Sequence, residues 1–233
     1  MNDRDLMKKG AITFLDVIGW KKIWERMDNP TERLIRLNGF ATAIGDKVRN
    51  GRFQRLSEHG LSPNIQGLSD MIVIWTFSEN PLYALELHAE IATMLIVDSM
   101  IAQIPLRGAT AYGEFYVAQD YNIMVGAAVD DAAEWYDSFR MIGVVQTPSA
   151  DEQLSNLLFK RPHLLVDYSI PKKTNGSVMA NCINWPHRWQ LSPKRREDLE
   201  LLLCAMEQLA KEDDKRIYRN TIEFYDYVFG QPQ

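Results

Sequence analysis

Apolar and polar positions along the chain follow a pattern that changes period several times. Five largely apolar residues, Ala11–Leu15, lead into a lone carboxylate, Asp16, followed by Val17, Ile18 and Gly19. Such a run predicts a buried strand over about 10–17, with a glycine turning the chain out of it. Residues 2–9 are polar and read as a frayed lead. Helical spacing covers Trp20–Met27, breaks at Asn29-Pro30 and resumes from Thr31 to about Arg49. Leu34, Leu37, Phe40, Ala41 and Ile44 give the second helix its inward face, and Pro30 falls in the first turn, where proline is tolerated. Asn50-Gly51 and His59-Gly60 are turn signals.

NIQGLSDMIVIWTF, residues 64–77, predicts two strands around a tight turn near Gly67–Asp70. The second strand, Met71–Phe77, is apolar and rich in β-branched and aromatic residues, hence central. Asn80-Pro81 caps a core helix over 82–103. Residues 105–118 predict strand, glycine, strand. Residues 122–139 predict a short strand, Gly126 and a helix opening with Asp130, Asp131 and Glu134. Met141–Gln146 reads as a strand, and Thr147-Pro148-Ser149 starts a helix. Leu164–Ile170 and Ser177–Trp185 predict a hairpin turning at Asn175-Gly176. From Ser192-Pro193 the pattern is helical to about Phe229, with a break near Glu212–Lys215. This order points to an α+β sandwich of split-βαβ type. A main domain over 1–190 would carry a helical C-terminal extension, 191–233, packed on it.

Composition narrows the function classes. The chain has 233 residues, 46% hydrophobic and 24% charged, which suits one large packed domain and argues against disorder. A net charge of −5 argues against a broad nucleic-acid-binding surface. Cys182 and Cys204 form no CxxC, and His59, His88, His163 and His187 show no HxxxH or HxH spacing. Neither a disulfide scaffold nor a zinc site is expected. Glu86, His88, Glu90 and Asp98 interrupt the most apolar helical run, and nothing resembles a signal peptide, so a soluble, cytoplasmic protein is expected. Trp20, Trp185 and Trp189 read as core or interface anchors.

Two acids stand out against apolar surroundings. Asp16 ends the first strand, and Asp70 sits at the mouth of Met71–Phe77. A buried carboxylate needs a cation or a hydrogen-bond network, so Asp16 serves either as a helix cap or as a metal ligand. If the two strand ends are neighbours, both acids could share a pair of divalent ions that orient a triphosphate.

These local sequences, in this order, resemble the class III nucleotidyl cyclases. FLDVIGW looks like their first metal motif and GLSDMIVIW like their hairpin motif. RGATAYGE is similar to the strand carrying an Arg or Lys and a Gly-Glu pair, and VGAAVDDAAEW to the segment opening the partner helix. The resemblance covers residues 10–146. It implies a cyclase-like sandwich with a ferredoxin-like βαββαβ core, and a homodimer with composite active sites. Asp16, Asp70 and the Val17 carbonyl would hold two divalent cations, Mn²⁺ first and Mg²⁺ as the alternative. Backbone N–H groups of the Phe14–Trp20 segment (Phe14, Val17, Ile18, Gly19 and Trp20) would surround the β- and γ-phosphates. Arg107 would neutralise phosphate, the alternative being a surface arginine at a strand start. Lys172 and Lys173 would add a second cation, or are ordinary turn lysines.

The departures matter. Asp130 and Glu134 stand where purine cyclases carry Asn and Arg, and Asn64 stands where many adenylate cyclases carry a lysine. A bacterial branch that makes cyclic UMP or cyclic CMP in anti-phage defence is more similar, with its FLDV-like start, Gly-x-Ser-Asp-like hairpin and Gly-x-Ala-hydrophobic-acid helix start. That resemblance implies a uridylate cyclase acting on UTP, with a separate effector reading the product. Asn64, Gln66 and Ser69 would read the base, unless they are merely solvent-facing hairpin residues, and Asp130 would face the substrate. The alternatives are a cytidylate cyclase, a purine cyclase, or a non-catalytic cyclase-like regulatory or dimerisation module.

Overall fold

The computed structural model describes residues 6–21, 25, 29–49, 61–156 and 162–230. Most of the helix expected over Trp20–Met27, and the Asn50-Gly51 and His59-Gly60 turn signals, lie outside the described residues.

The first strand, β1 (Lys8–Val17), lies at the centre of the sheet between β3 (Met71–Phe77) and β4 (Leu106–Ala118), antiparallel to both. That position accounts for its near-continuous apolar sequence, since both of its faces are covered. It begins two residues earlier than the pattern predicts. Lys8 and Lys9 are exposed yet belong to the ladder, opposite Phe115 and Glu114. Beyond β3 comes β2 (Asn64–Leu68), whose Leu68 faces Met71, so Ser69 and Asp70 form the turn. Ser69 adopts the left-handed conformation that such a turn requires (φ 57°).

The expected strand–glycine–strand over 105–118 is one unbroken strand, because the ladder to β1 carries straight through Gly113. Its far end folds back against β5 (Ile123–Val125). Helix α3 (Ala127–Trp135) then crosses over to β6 (Gly143–Gln146), parallel to β4. Gly126 starts that helix at φ 137°, and a Cβ there would meet the Glu114 carbonyl at 2.5 Å. The hairpin of β7 (Leu165–Pro171) and β8 (Ser177–Ile183) completes the order β2-β3-β1-β4-β6-β8-β7. Trp185 does not end β8 as expected. The Asn184 side chain accepts from the His187 N–H and starts a helix there.

Helices cover the two faces unequally. One face carries α1 (Pro30–Arg49) and α2 (Pro81–Ile101), and the same large core takes in buried residues of the later helices. These are α4 (Pro148–Asn156), α5 (Trp185–Gln190), α6 (Arg196–Leu209) and α7 (Glu212–Gly230). Leu199, Leu203, Ile217 and Phe224 of the last two helices are buried there beside Trp185 and Trp189. The break between them falls at Ala210-Lys211, just before the expected position. The other face holds a smaller cluster of Ile12, Phe14, Val73, Trp75 and Phe115, on which Ala128 and Ala132 of α3 pack. Among the described residues, α3 is the helix that contributes to this second cluster, so part of that face stays open.

His88 of α2 is fully buried and bonds the hydroxyls of Thr13 (2.7 Å) and Thr76 (3.1 Å), while Thr13 also meets Thr110 at 2.8 Å. This polar knot joins β1, β3 and β4 from the side opposite α3.

Candidate active site

Strand register brings the charged groups together. Asp16 lies opposite Met71 on one side and Arg107 on the other, and the Val17 N–H donates to the Asp70 carbonyl at 3.0 Å. The ends of β1 and β4 and the β2–β3 turn therefore meet at one point. Arg107, only 7% exposed, donates from Nη2 toward Asp16 Oδ2 (3.4 Å) and from Nη1 toward the Phe139 carbonyl (3.4 Å). Its Nε has no hydrogen-bond partner among the described residues. Burial pushes the Asp16 carboxyl up to about 6. The Arg107 charge works against that rise, and the charges of Asp70 and Asp137 reinforce it. The end of the first strand and the turn that carries Asp70 are neighbours, joined by the Val17–Asp70 backbone bond.

Two neighbours, Asp137 and Tyr136, escape a reading of the sequence. Asp137, just beyond α3, sits 3.7 Å from Arg107 Nη2 and accepts from Lys173 Nζ at 2.5 Å. Lys173 is held there because its own N–H donates to the Ser138 carbonyl (2.8 Å). Lys172 engages the site only through backbone: it bridges Phe139, and its N–H donates to the Gly176 carbonyl. Of the two turn lysines, Lys173 is the one whose ammonium joins the charged chain Asp16–Arg107–Asp137–Lys173. Tyr136 packs edge-on against Phe14 with ring centroids 6.2 Å apart. Its phenol is pushed upward mainly by burial and then by the charge of Asp137. The polar tail of the WYDSF stretch was the available signal, but nothing local tells which strand it would meet.

The segment after β1 differs from an open phosphate loop. The Ile18 N–H donates to the Pro105 carbonyl (2.9 Å) and the Trp20 N–H to the Val17 carbonyl (3.3 Å), so these donors and that of Val17 are already engaged. Gly19 makes the turn with φ 74°. Ile18 is buried in the large core, and Phe14 lies mid-strand between Val73 and Ala109. Phe14 therefore supports the site from beneath. Phosphate contact by Val17, Ile18 and Trp20 would require this segment to rearrange.

The proposed base readers gather at the other end of the α3-bearing face. Gln66 Nε2 donates to Asn122 Oδ1 (2.8 Å), and Gln119 Nε2 donates to Asn64 Oδ1 (3.3 Å). Asn64, Trp75, Phe77, Tyr116, Gln119 and Tyr121 line an open cleft of about 450 Å³. Ser69 stays in the turn beside Asp70. Asp130 and Glu134 lie on the exposed side of α3, whereas Asp131 turns inward and accepts from the Thr147 hydroxyl at 2.6 Å. Asp131 thereby braces the start of α4.

Can these residues hold divalent ions? Among the described residues no three His, Cys, Asp or Glu side chains form a ready-made cage. Two carboxylates come together at one point, however: the Asp16 strand end lies beside the turn that carries Asp70, whose charge adds to the burial-driven rise of the Asp16 carboxyl. Two protein carboxylates, with substrate phosphates and water completing the shell, are a donor set that Mg²⁺ accepts. The residues fit.

No family model matches the chain. No curated protein matches it either. Among solved structures it is similar to a bacterial light-regulated adenylyl cyclase, at 11% identity and a TM-score of 0.51, over 87% of this chain and 58% of that one. Another structure so described aligns over 79% of this chain and 94% of that one, at 11% identity and a TM-score of 0.49. A Trypanosoma brucei adenylate cyclase aligns over 76% and 90%, at 13% identity and a TM-score of 0.49. Identities this low speak to architecture. The architecture is the α+β fold of the class III cyclase type.

Proposed function

We propose that the protein is a metal-dependent nucleotidyl cyclase that converts UTP to 3′,5′-cyclic UMP and pyrophosphate, a second messenger in antiviral defence. The observation that carries this reading is the meeting of Asp16, Asp70 and Arg107 at one sheet end. In the reaction the ribose 3′-hydroxyl oxygen bonds to the α-phosphorus as the bond from that phosphorus to the pyrophosphate oxygen breaks. Divalent ions, when bound, lower the pKa of the attacking hydroxyl and neutralise phosphate charge. Asp16 and Asp70, with the Val17 carbonyl, hold them. Arg107, whose two hydrogen bonds are both long at 3.4 Å, could turn its terminal N–H groups toward phosphate oxygens. Lys173 takes the role first given to either turn lysine.

The layout of the open face supports a homodimer. The acids lie at one end, and the amides and aromatic cleft at the other. A two-fold partner would set the acids of one copy against the cleft and the exposed Asp130 of the next. Asp16→Ala and Asp70→Ala should each remove UTP turnover while circular dichroism stays unchanged. Near-wild-type turnover in either variant would refute the assignment. Acids at 130 and 134 favour a second reading, a non-catalytic cyclase-like module. That reading predicts no thermal stabilisation by Mn²⁺ together with any nucleoside triphosphate.

A further inference from the structure

The cations that face the phosphate site are not free. Arg107 and Lys173 approach the same carboxylate, Asp137, at 3.7 Å and 2.5 Å. A carboxylate oxygen between a guanidinium and an ammonium stands where a phosphate oxygen recruiting both cations would stand. The ties differ in strength. Lys173 is fixed through its backbone to Ser138, and Arg107 is buried with a Nε that has no partner among the described residues. Asp137 itself follows α3 with a half-exposed side chain, and these two cations are the partners of its carboxylate among the described residues. Its side chain and that of Lys173 are similarly exposed while Arg107 is nearly buried, so Asp137 is the anionic member of the trio with room to swing into water.

We infer that Asp137 is an internal competitor for the phosphate seat: it holds Arg107 and Lys173 in the empty site, and an incoming polyphosphate displaces it. The inference rests on the reading of Arg107 as phosphate-facing and adds a regulatory step to it. The resting enzyme keeps its cations neutralised, and only a ligand with more negative charge than one carboxylate opens the seat. A triphosphate qualifies. A monophosphate competes less well.

The test is calorimetric titration with inorganic triphosphate in magnesium buffer, which needs no turnover. Removing one negative charge within about 4 Å of two cations should tighten binding roughly three- to tenfold in Asp137→Asn. Asp137→Ser should do the same, which guards against an effect particular to the amide. Arg107→Gln and Lys173→Gln should each weaken binding at least about threefold, and Lys173→Gln should erase most of the gain in the Asp137→Asn background. Unchanged or weaker binding in both Asp137 variants would overturn the inference and make Asp137 a residue that positions the cations. Tighter binding in a protein that cyclises no nucleotide would uphold the competitor and remove the cyclase reading instead.

Discussion

Asp16 carries a cost to the fold at neutral pH. Its carboxyl is raised from 3.8 to about 6, with burial the largest cause, so the folded state holds a proton more tightly than the unfolded one. Stability from this group is complete below about pH 4 and is lost as pH rises through 6. Above that, the charged form destabilises the metal-free protein. Asp16→Asn should therefore raise the melting point at pH 7, by about 1–3 kcal/mol in stability, and the gain should vanish toward pH 4. Thermal denaturation across that range checks it; a destabilised Asn variant at pH 7 would mean that the Arg107 pair outweighs burial. At this scale, Asp16 and Asp70 stood out because each interrupts an apolar run, and Arg107 only through the resemblance of its strand. Asp137 and Tyr136 were not legible, nor was the choice of Lys173 over Lys172, because their proximity depends on a crossover and a distant hairpin rather than on neighbours in sequence.

Elements were legible where periodicity is strong and less so where partners decide. The two-sided burial of β1 and the inward face of α1 follow from the sequence. The continuity of β4 through Gly113 does not, since a strand paired along its whole length tolerates a glycine that in isolation reads as punctuation. His88 shows the reverse case: a polar residue within an apolar helix that joins three strands. Burial lowers it from 6.5 to about 3, so it stays neutral in the fold, and its stabilising contribution is lost as pH falls from 6.5 toward 3. His88→Leu should cost about 1–3 kcal/mol at pH 7 by orphaning the Thr76 hydroxyl. It should also flatten the acid limb of the stability profile. Urea denaturation at several pH values separates the two effects, and a Leu variant as stable as wild type would show that the knot is dispensable.

The whole molecule joins a sheet with one heavily covered face to an open face bearing the acids, the cleft and α3. The C-terminal helices belong to the covered side: Phe224 is fully buried against Trp185 and Tyr168. Phe224→Ala should lose about 3–5 kcal/mol, measured by denaturant unfolding. A loss below about 1 kcal/mol would mean that these helices add little to the core. The open face is where the proposed dimer forms, and a monomer with full activity in sedimentation and turnover experiments would contradict it. Base choice was the least legible property, because amides such as Asn64 and Gln66 present donor and acceptor alike and satisfy uracil or cytosine by flipping. The most direct measurement is incubation of the protein with each of the four nucleoside triphosphates and Mn²⁺, with products identified by mass spectrometry. The account predicts cyclic UMP and pyrophosphate from UTP, abolished by Asp70→Ala; the absence of a cyclic nucleotide from all four would contradict it.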